Sequence, residues 1–100
     1  MPPVRVVSAA ELRRMFNEHD FWARAQRGGL TQKLVDQSHV SSPRSGLPIC
    51  TWSQIIAYLD DKGSKVALVH QYLRPDGTLG ASGRPDPKRL LLEGLLYIVV

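Results

Sequence analysis

Thr51–Gly63, TWSQIIAYLDDKG, is the stretch on which the fold class turns. Read as a helix, it opens with Thr51-Trp52-Ser53-Gln54. This is the spacing of a capping box, in which the first and fourth side chains satisfy each other's backbone N–H groups. Cys50 and Ile55 stand at the two positions of a hydrophobic staple. Trp52, Ile55, Ile56 and Leu59 follow the i, i+3, i+4, i+7 template of one apolar helix face. Gly63 then stops the helix after Asp60-Asp61-Lys62. Read as a strand, the same residues turn back in a hairpin at Asp61–Ser64. Strict alternation of apolar and polar residues fails across Ile55-Ile56, so the helix is the preferred reading.

Upstream, Ser8-Ala9-Ala10-Glu11 repeats the capping-box pattern, and Val7 with Leu12 forms a second staple. Leu12, Met15, Phe16, His19, Trp22 and Ala23 recur at three- and four-residue spacing, while Arg13, Arg14, Arg24 and Arg27 fall mostly off that stripe. Gly28-Gly29 ends the pattern. The expectation is one helix over 9–27, with room for a break near Asn17–Asp20. His19 lies on the apolar stripe and reads as a core or boundary residue. Val4–Val7 makes a short first strand and Thr31–Gln37 a short second helix. Ser38–Pro48, with His39 and Arg44, reads as loop from its Ser, Pro and Gly content.

Downstream, Lys65–Leu73 is a strand with two largely apolar faces, Val66, Leu68, His70 and Tyr72 on one and Ala67, Val69, Gln71 and Leu73 on the other. Such a strand belongs inside a sheet. Arg74-Pro75-Asp76-Gly77 is a turn: proline presets φ, aspartate bonds its own turn backbone, and glycine accepts positive φ. Thr78–Gly80 returns as a weak strand. Ala81–Pro87 is loop, because Pro85 and Pro87 donate nothing to a ladder. Leu90–Val100 reads as a hairpin about Glu93-Gly94, or as a short helix capped by Asp86 followed by a buried strand.

These elements predict an α+β fold in a single domain, residues 1–100. A long N-terminal helix and a second helix at 52–61 pack on a small antiparallel sheet of strands 65–74, 78–80 and 90–100. The expected core is Leu12, Phe16, Trp22, Ile55, Leu59, Leu68, Leu92 and Ile98.

A hydrophobic content of 43% with 22% charged residues is globular rather than disordered composition. No apolar run approaches the roughly 20 residues of a membrane span, and no secretory signal is evident, so the expected location is cytoplasmic. Cys50 is the only cysteine, which excludes an internal disulfide; with three scattered histidines it leaves no metal-ligand spacing. Cys50 reads as a small buried hydrophobe. The net charge of +4 sits in two basic segments, 5–33 and 65–89, and favours anionic partners.

The candidate site lies in His70–Arg89. His70 and Tyr72 are two apart on a strand and point the same way, and Arg74 continues their face. Cleavage of RNA without a metal needs a base for the 2′-hydroxyl, an acid for the leaving oxygen and a cation for the phosphorane. His70, Tyr72 and Arg74 are the candidate catalytic residues for that chemistry. Gly77, Gly80 and Gly83 recur at every third position between Arg74 and Arg84, and are grouped with Arg84, Lys88 and Arg89. They are the candidate anion-binding set, through free N–H groups and nearby cations. A winged-helix order of helices at 9–27, 31–37 and 52–61 is disfavoured, because Asp60 and Asp61 would meet phosphate.

The functional expectation is a small basic domain associated with RNA or another polyanion, extending to metal-independent nuclease chemistry, with no cofactor. The alternative is a non-catalytic protein-interaction or homo-oligomeric assembly module using the 74–89 loop. A helical N-terminal half leading into an antiparallel sheet with basic residues is similar in architecture to the small RelE/ParE-type bacterial toxins. No motif matches residue by residue, and no functional residue is carried over.

Overall fold

The structure, a computed structural model, describes residues 2–39 and 50–99. Among these, six strands and two short helices run in the order β1 (Val4–Val7), α1 (Ala9–Glu18), α2 (Phe21–Gln26), β2 (Thr31–His39), β3 (Trp52–Leu59), β4 (Lys65–Leu73), β5 (Asp86–Leu92) and β6 (Leu95–Val99). The strands form one mixed sheet in the order β1-β6-β5-β4-β3-β2. β1 pairs with β6 in parallel, and every other neighbouring pair is antiparallel. The expected α+β fold on a small antiparallel sheet is therefore corrected: sheet dominates, and 52–59 and 31–39 are strands rather than helices. The winged-helix order falls with them. The Ser38–Pro48 loop lies mostly outside the described residues, and its first two residues end β2.

The physics of β3 explains the correction. Trp52, Ile55, Ile56 and Tyr58 are β-branched or aromatic and fit a pleated surface. β3 lies between β2 and β4, and an interior strand has apolar residues on both faces, which erases strict alternation. The residues read as a helix stop form a hairpin turn instead. The Asp60 N–H donates to the Ser64 carbonyl at 2.9 Å, and Asp60 Oδ1 accepts from the Lys62 and Ser64 N–H groups at 3.0 and 2.9 Å. Gly63 supplies φ +80°. Gln54 is a rung rather than a cap partner: its amide donates to Gln37 Oε1 at 3.1 Å and accepts from Gln71 Nε2 at 2.9 Å, tying β2, β3 and β4.

The N-terminal helix is broken where the sequence left room for a break. Ser8 caps α1 by accepting from the Glu11 N–H at 3.1 Å. Only that half of the capping box forms, because the Glu11 carboxylate pairs with Arg14. Asp20 then takes φ +52° and restarts the chain as α2. The turn shifts the stripe by one residue. Phe21 is buried, Trp22 only partly so, and His19 is exposed rather than on the core.

The helices cover one face of the sheet. Leu12, Phe16, Phe21, Ala25 and Leu30 meet Ile56, Tyr58, Ala67, Val69 and Leu90 there. Phe16 stacks on Phe21 with ring centroids 5.7 Å apart, and Tyr58 lies 6.1 Å from Phe16. Burial pushes the Tyr58 phenol up to about 12. Of the expected core, Leu12 and Phe16 are central, and Trp22 and Leu92 pack at its margin. Ile55, Leu59, Leu68 and Ile98 point to the other face, because each alternates with a core residue along its strand. Cys50 is exposed rather than buried, since the chain enters β3 through a turn there and Thr51 is the first buried residue.

β4 lies inside the sheet, as its two apolar faces predict. β5 begins earlier than expected, at Asp86, and so includes Pro87. The Val69–Pro87 and Leu68–Arg89 pairs flank an irregularity that leaves Lys88 as an extra residue, so the proline sits at a bulge. The weak strand at 78–80 reduces to one bridge, Leu73 to Leu79. Among the described residues, no helix is long and apolar enough to cross a membrane.

Candidate functional site

The pairing of β4 with β5 ends at His70–Asp86, while β4 continues to Leu73. The chain leaves β4 through a hairpin turn at 74–78 and returns to β5 through residues 80–85. In that turn the Arg74 N–H donates to the Thr78 carbonyl at 2.8 Å, and Asp76 Oδ1 accepts from the Thr78 N–H at 2.9 Å and from its hydroxyl at 2.6 Å. These bonds to Thr78 hold the Asp76 carboxyl below its usual range. The returning segment leaves a cleft of about 670 Å³ against the end of β4 and one side of α1. Arg13, Phe16 and Asn17 line it from α1, and His70, Gln71 and Tyr72 from β4. Gly80–Ser82 and Arg84–Lys88 complete the wall.

On the face of the sheet away from the helices, His70 Nε2 is 2.8 Å from Ser53 Oγ on β3, and the His70 and Tyr72 rings meet edge to face with centroids 4.7 Å apart. Burial lowers the His70 pKa, the Lys88 charge lowers it further, and Asp86 pulls against both. Asp86 faces two cations, Lys88 Nζ at 3.0 Å and Arg13 at 3.5 Å. Both pairs are solvent-accessible, and such pairs hold little energy, so either cation is available to a stronger anion. The Arg84 guanidinium lies 5.0 Å from the centre of the Trp22 ring on α2. Three cations face one carboxylate here, which leaves the cleft net positive.

The candidate residues are thus divided. His70, Tyr72, Gly80, Arg84 and Lys88 line the cleft, whereas Arg74, Gly77, Gly83 and Arg89 do not. Arg74 turns to the hairpin and reaches Thr78 Oγ1 at 3.5 Å. The three glycine N–H groups are each committed to a backbone carbonyl. Gly77 donates to Arg74 at 3.0 Å, Gly80 to Tyr72 at 2.7 Å and Gly83 to Gly80 at 3.0 Å. Gly77 and Gly83, at φ +86° and +79°, serve the turns. Any anion affinity of this loop then falls to its side chains. Arg89 lines a separate, apolar groove with Leu68, Leu91 and Leu96.

Arg13, Ser53 and Trp22 were not identified from the chain. Arg13 is visible in the sequence only as a cation off the apolar stripe of α1, and its approach to Asp86 is a product of the α1–β5 packing. Among the described residues, no three His, Cys, Asp or Glu side chains gather as a metal site. Comparison with protein-family models, with curated proteins and with solved structures finds no match to this chain.

Proposed function

We propose that this chain is a small polyanion-binding domain, with RNA as its ligand class and the cleft between α1, β4 and the 80–88 segment as its site. The observation that carries the reading is the meeting of Arg13, Arg84 and Lys88, from two distant parts of the chain, along one cleft at the end of β4. The cations suit the phosphate oxygens of a single strand. A cytoplasmic location and action without a cofactor belong to the same proposal.

Fluorescence anisotropy with a labelled single-stranded RNA, across a range of salt, tests it. Log affinity must fall linearly with log salt concentration, and Arg84→Ala must weaken binding and reduce the slope by about one. A full chain that binds no RNA at low salt overturns the proposal.

Cleavage is a second reading, favoured by one specific observation. Burial lowers the His70 pKa from its ordinary value, which favours the neutral imidazole that a general base for a 2′-hydroxyl needs. Arg74 stands outside the cleft, so the phosphorane charge falls to Arg13, Arg84 or Lys88. Incubation of the same RNA in chelator decides it: product must form with the native chain and vanish in His70→Gln. The alternative of an assembly module draws its support from β2 rather than from the 74–89 loop.

A further inference from the structure

β2 is the last strand of the sheet, and all nine of its residues are exposed. Among the described residues, no strand pairs with its outer edge. Leu34 is 46% and Val35 50% exposed on it. A long edge of this kind carries unpaired N–H and C=O groups, and natural sheets blunt such edges or use them for pairing. The sequence of β2 points to use. Thr31-Gln32-Lys33-Leu34 read forward meets Ser38-Gln37-Asp36-Val35 read backward: hydroxyl with hydroxyl, amide with amide, cation with anion, and branched aliphatic with branched aliphatic.

A two-fold pair of antiparallel strands has its axis normal to the sheet, so partners across the ladder must lie on the same face. Residues three or five apart in a regular strand lie on opposite faces, which would forbid this register. β2 is not regular. Its pairing with β3 slips between Leu34 and Asp36, leaving Val35 as an extra residue. Lys33 and Asp36 therefore stand opposite Ala57 and Ile55, on the face away from the helices. Gln32 and Gln37 both stand on the helix face, opposite Tyr58 and Gln54, and Thr31 and Ser38 both on the other. The bulge makes the strand symmetric in facing about the same point at which it is symmetric in chemistry. A register centred on Val35 itself would set Leu34 against Asp36, on opposite faces, and is excluded.

We propose that β2 pairs with β2 of a second copy of this chain, antiparallel and centred between Leu34 and Val35. Lys33 of each copy then faces Asp36 of the other, and the two sheets become one. α1 lies over β5 and β6, which β4 and β3 separate from β2. This inference is independent of the cleft and its ligand. Main-chain bonds and the Leu34–Val35 contacts supply the affinity, and the charge pairs fix the register.

Sedimentation of the full chain over a concentration series tests the proposal. The expected result is a reversible dimer in the native chain, whose dissociation constant rises about tenfold or more in Lys33→Asp, where like charges face each other across both ends of the junction. The double variant Lys33→Asp, Asp36→Lys restores the opposite-charge pairing and returns the native dimer. Urea unfolding at a concentration where each chain is monomeric separates dimer loss from misfolding. A native chain that stays monomeric at the highest attainable concentration overturns the proposal. So does a dimer that Lys33→Asp leaves intact, or a double variant that fails to recover it.

Discussion

Glu93 carries φ +50° and Gly94 φ +79° in the two-residue connection between β5 and β6, where Leu92 pairs with Leu95. Two positive φ values in a two-residue hairpin make a type I′ turn, whose twist matches the flanking strands. Glycine takes the second position freely, but a glutamate in the first is strained, because the left-handed region crowds Cβ. Asparagine tolerates that region best among residues with a side chain. Glu93→Asn is expected to raise stability by about 0.5–1 kcal/mol, read as a higher urea midpoint with an unchanged slope. The Glu93-Gly94 reversal was legible in the chain. So was the shared face of His70 and Tyr72, because strand alternation is local. The failure of Gly77, Gly80 and Gly83 to present free N–H groups was not legible, because carbonyls as distant as that of Tyr72 claim them. Spacing reveals where glycines recur but not whether their donors are already engaged.

Among the elements, β3 separates local pattern from tertiary pairing most sharply. Thr51–Gln54, at its start, satisfy a capping box and its apolar residues satisfy a helix template, yet Thr51 caps nothing and Gln54 joins a ladder of glutamines. The same motif at Ser8 does cap α1. The difference lies in the residues downstream of each cap. After Ser8 come Ala, Leu, Arg and Met, which lose little entropy in a helix; after Thr51 come Trp, two Ile and Tyr, and then a turn into the β-rich β4. A contrast between neighbouring isoleucines measures the outcome. In the helix reading Ile55 and Ile56 share one buried face. In the strand, Ile56 is 6% exposed beneath the helices, while Ile55 lies half-buried on the other face. Ile56→Ala is expected to cost about 2–4 kcal/mol in urea unfolding, and Ile55→Ala about 1 kcal/mol. Equal losses at the two positions would contradict the strand. The break at Asp20 obeys the same logic in reverse, since the polar Asn17–Asp20 run was visible but the φ +52° that restarts the stripe at Phe21 was not.

In the sheet as a whole, the first and last described strands pair with each other. β1 opens the described chain, β6 ends it, and they pair in parallel from Val4–Leu96 to Val7–Val99. No local pattern announces this contact, because VRVV pairs as readily with any strand; only the completed sheet selects β6. The middle of the sheet is different, for β3 and β4 are joined by the five-residue turn at Asp60–Ser64 and pair along nearly their whole length. Loop-closure entropy grows with the chain enclosed, so the order of assembly is set by sequence separation. The β3–β4 hairpin is expected to close first and to gather β5 and α1, and the β1–β6 pair to form after the rest has enclosed almost all of the chain. The consequence is kinetic. Val69→Ala removes a fully buried side chain from the hairpin and is expected to slow folding, with a φ-value of about 0.5–0.8. Val7→Ala removes a partly buried contact at the closing pair and is expected to speed unfolding and leave the folding rate nearly unchanged, with a φ-value of about 0–0.3. Stopped-flow chevrons on the two variants check both values. A high value at Val7 would mean that the ends meet early, at a cost in chain entropy that four parallel residue pairs are too few to offset.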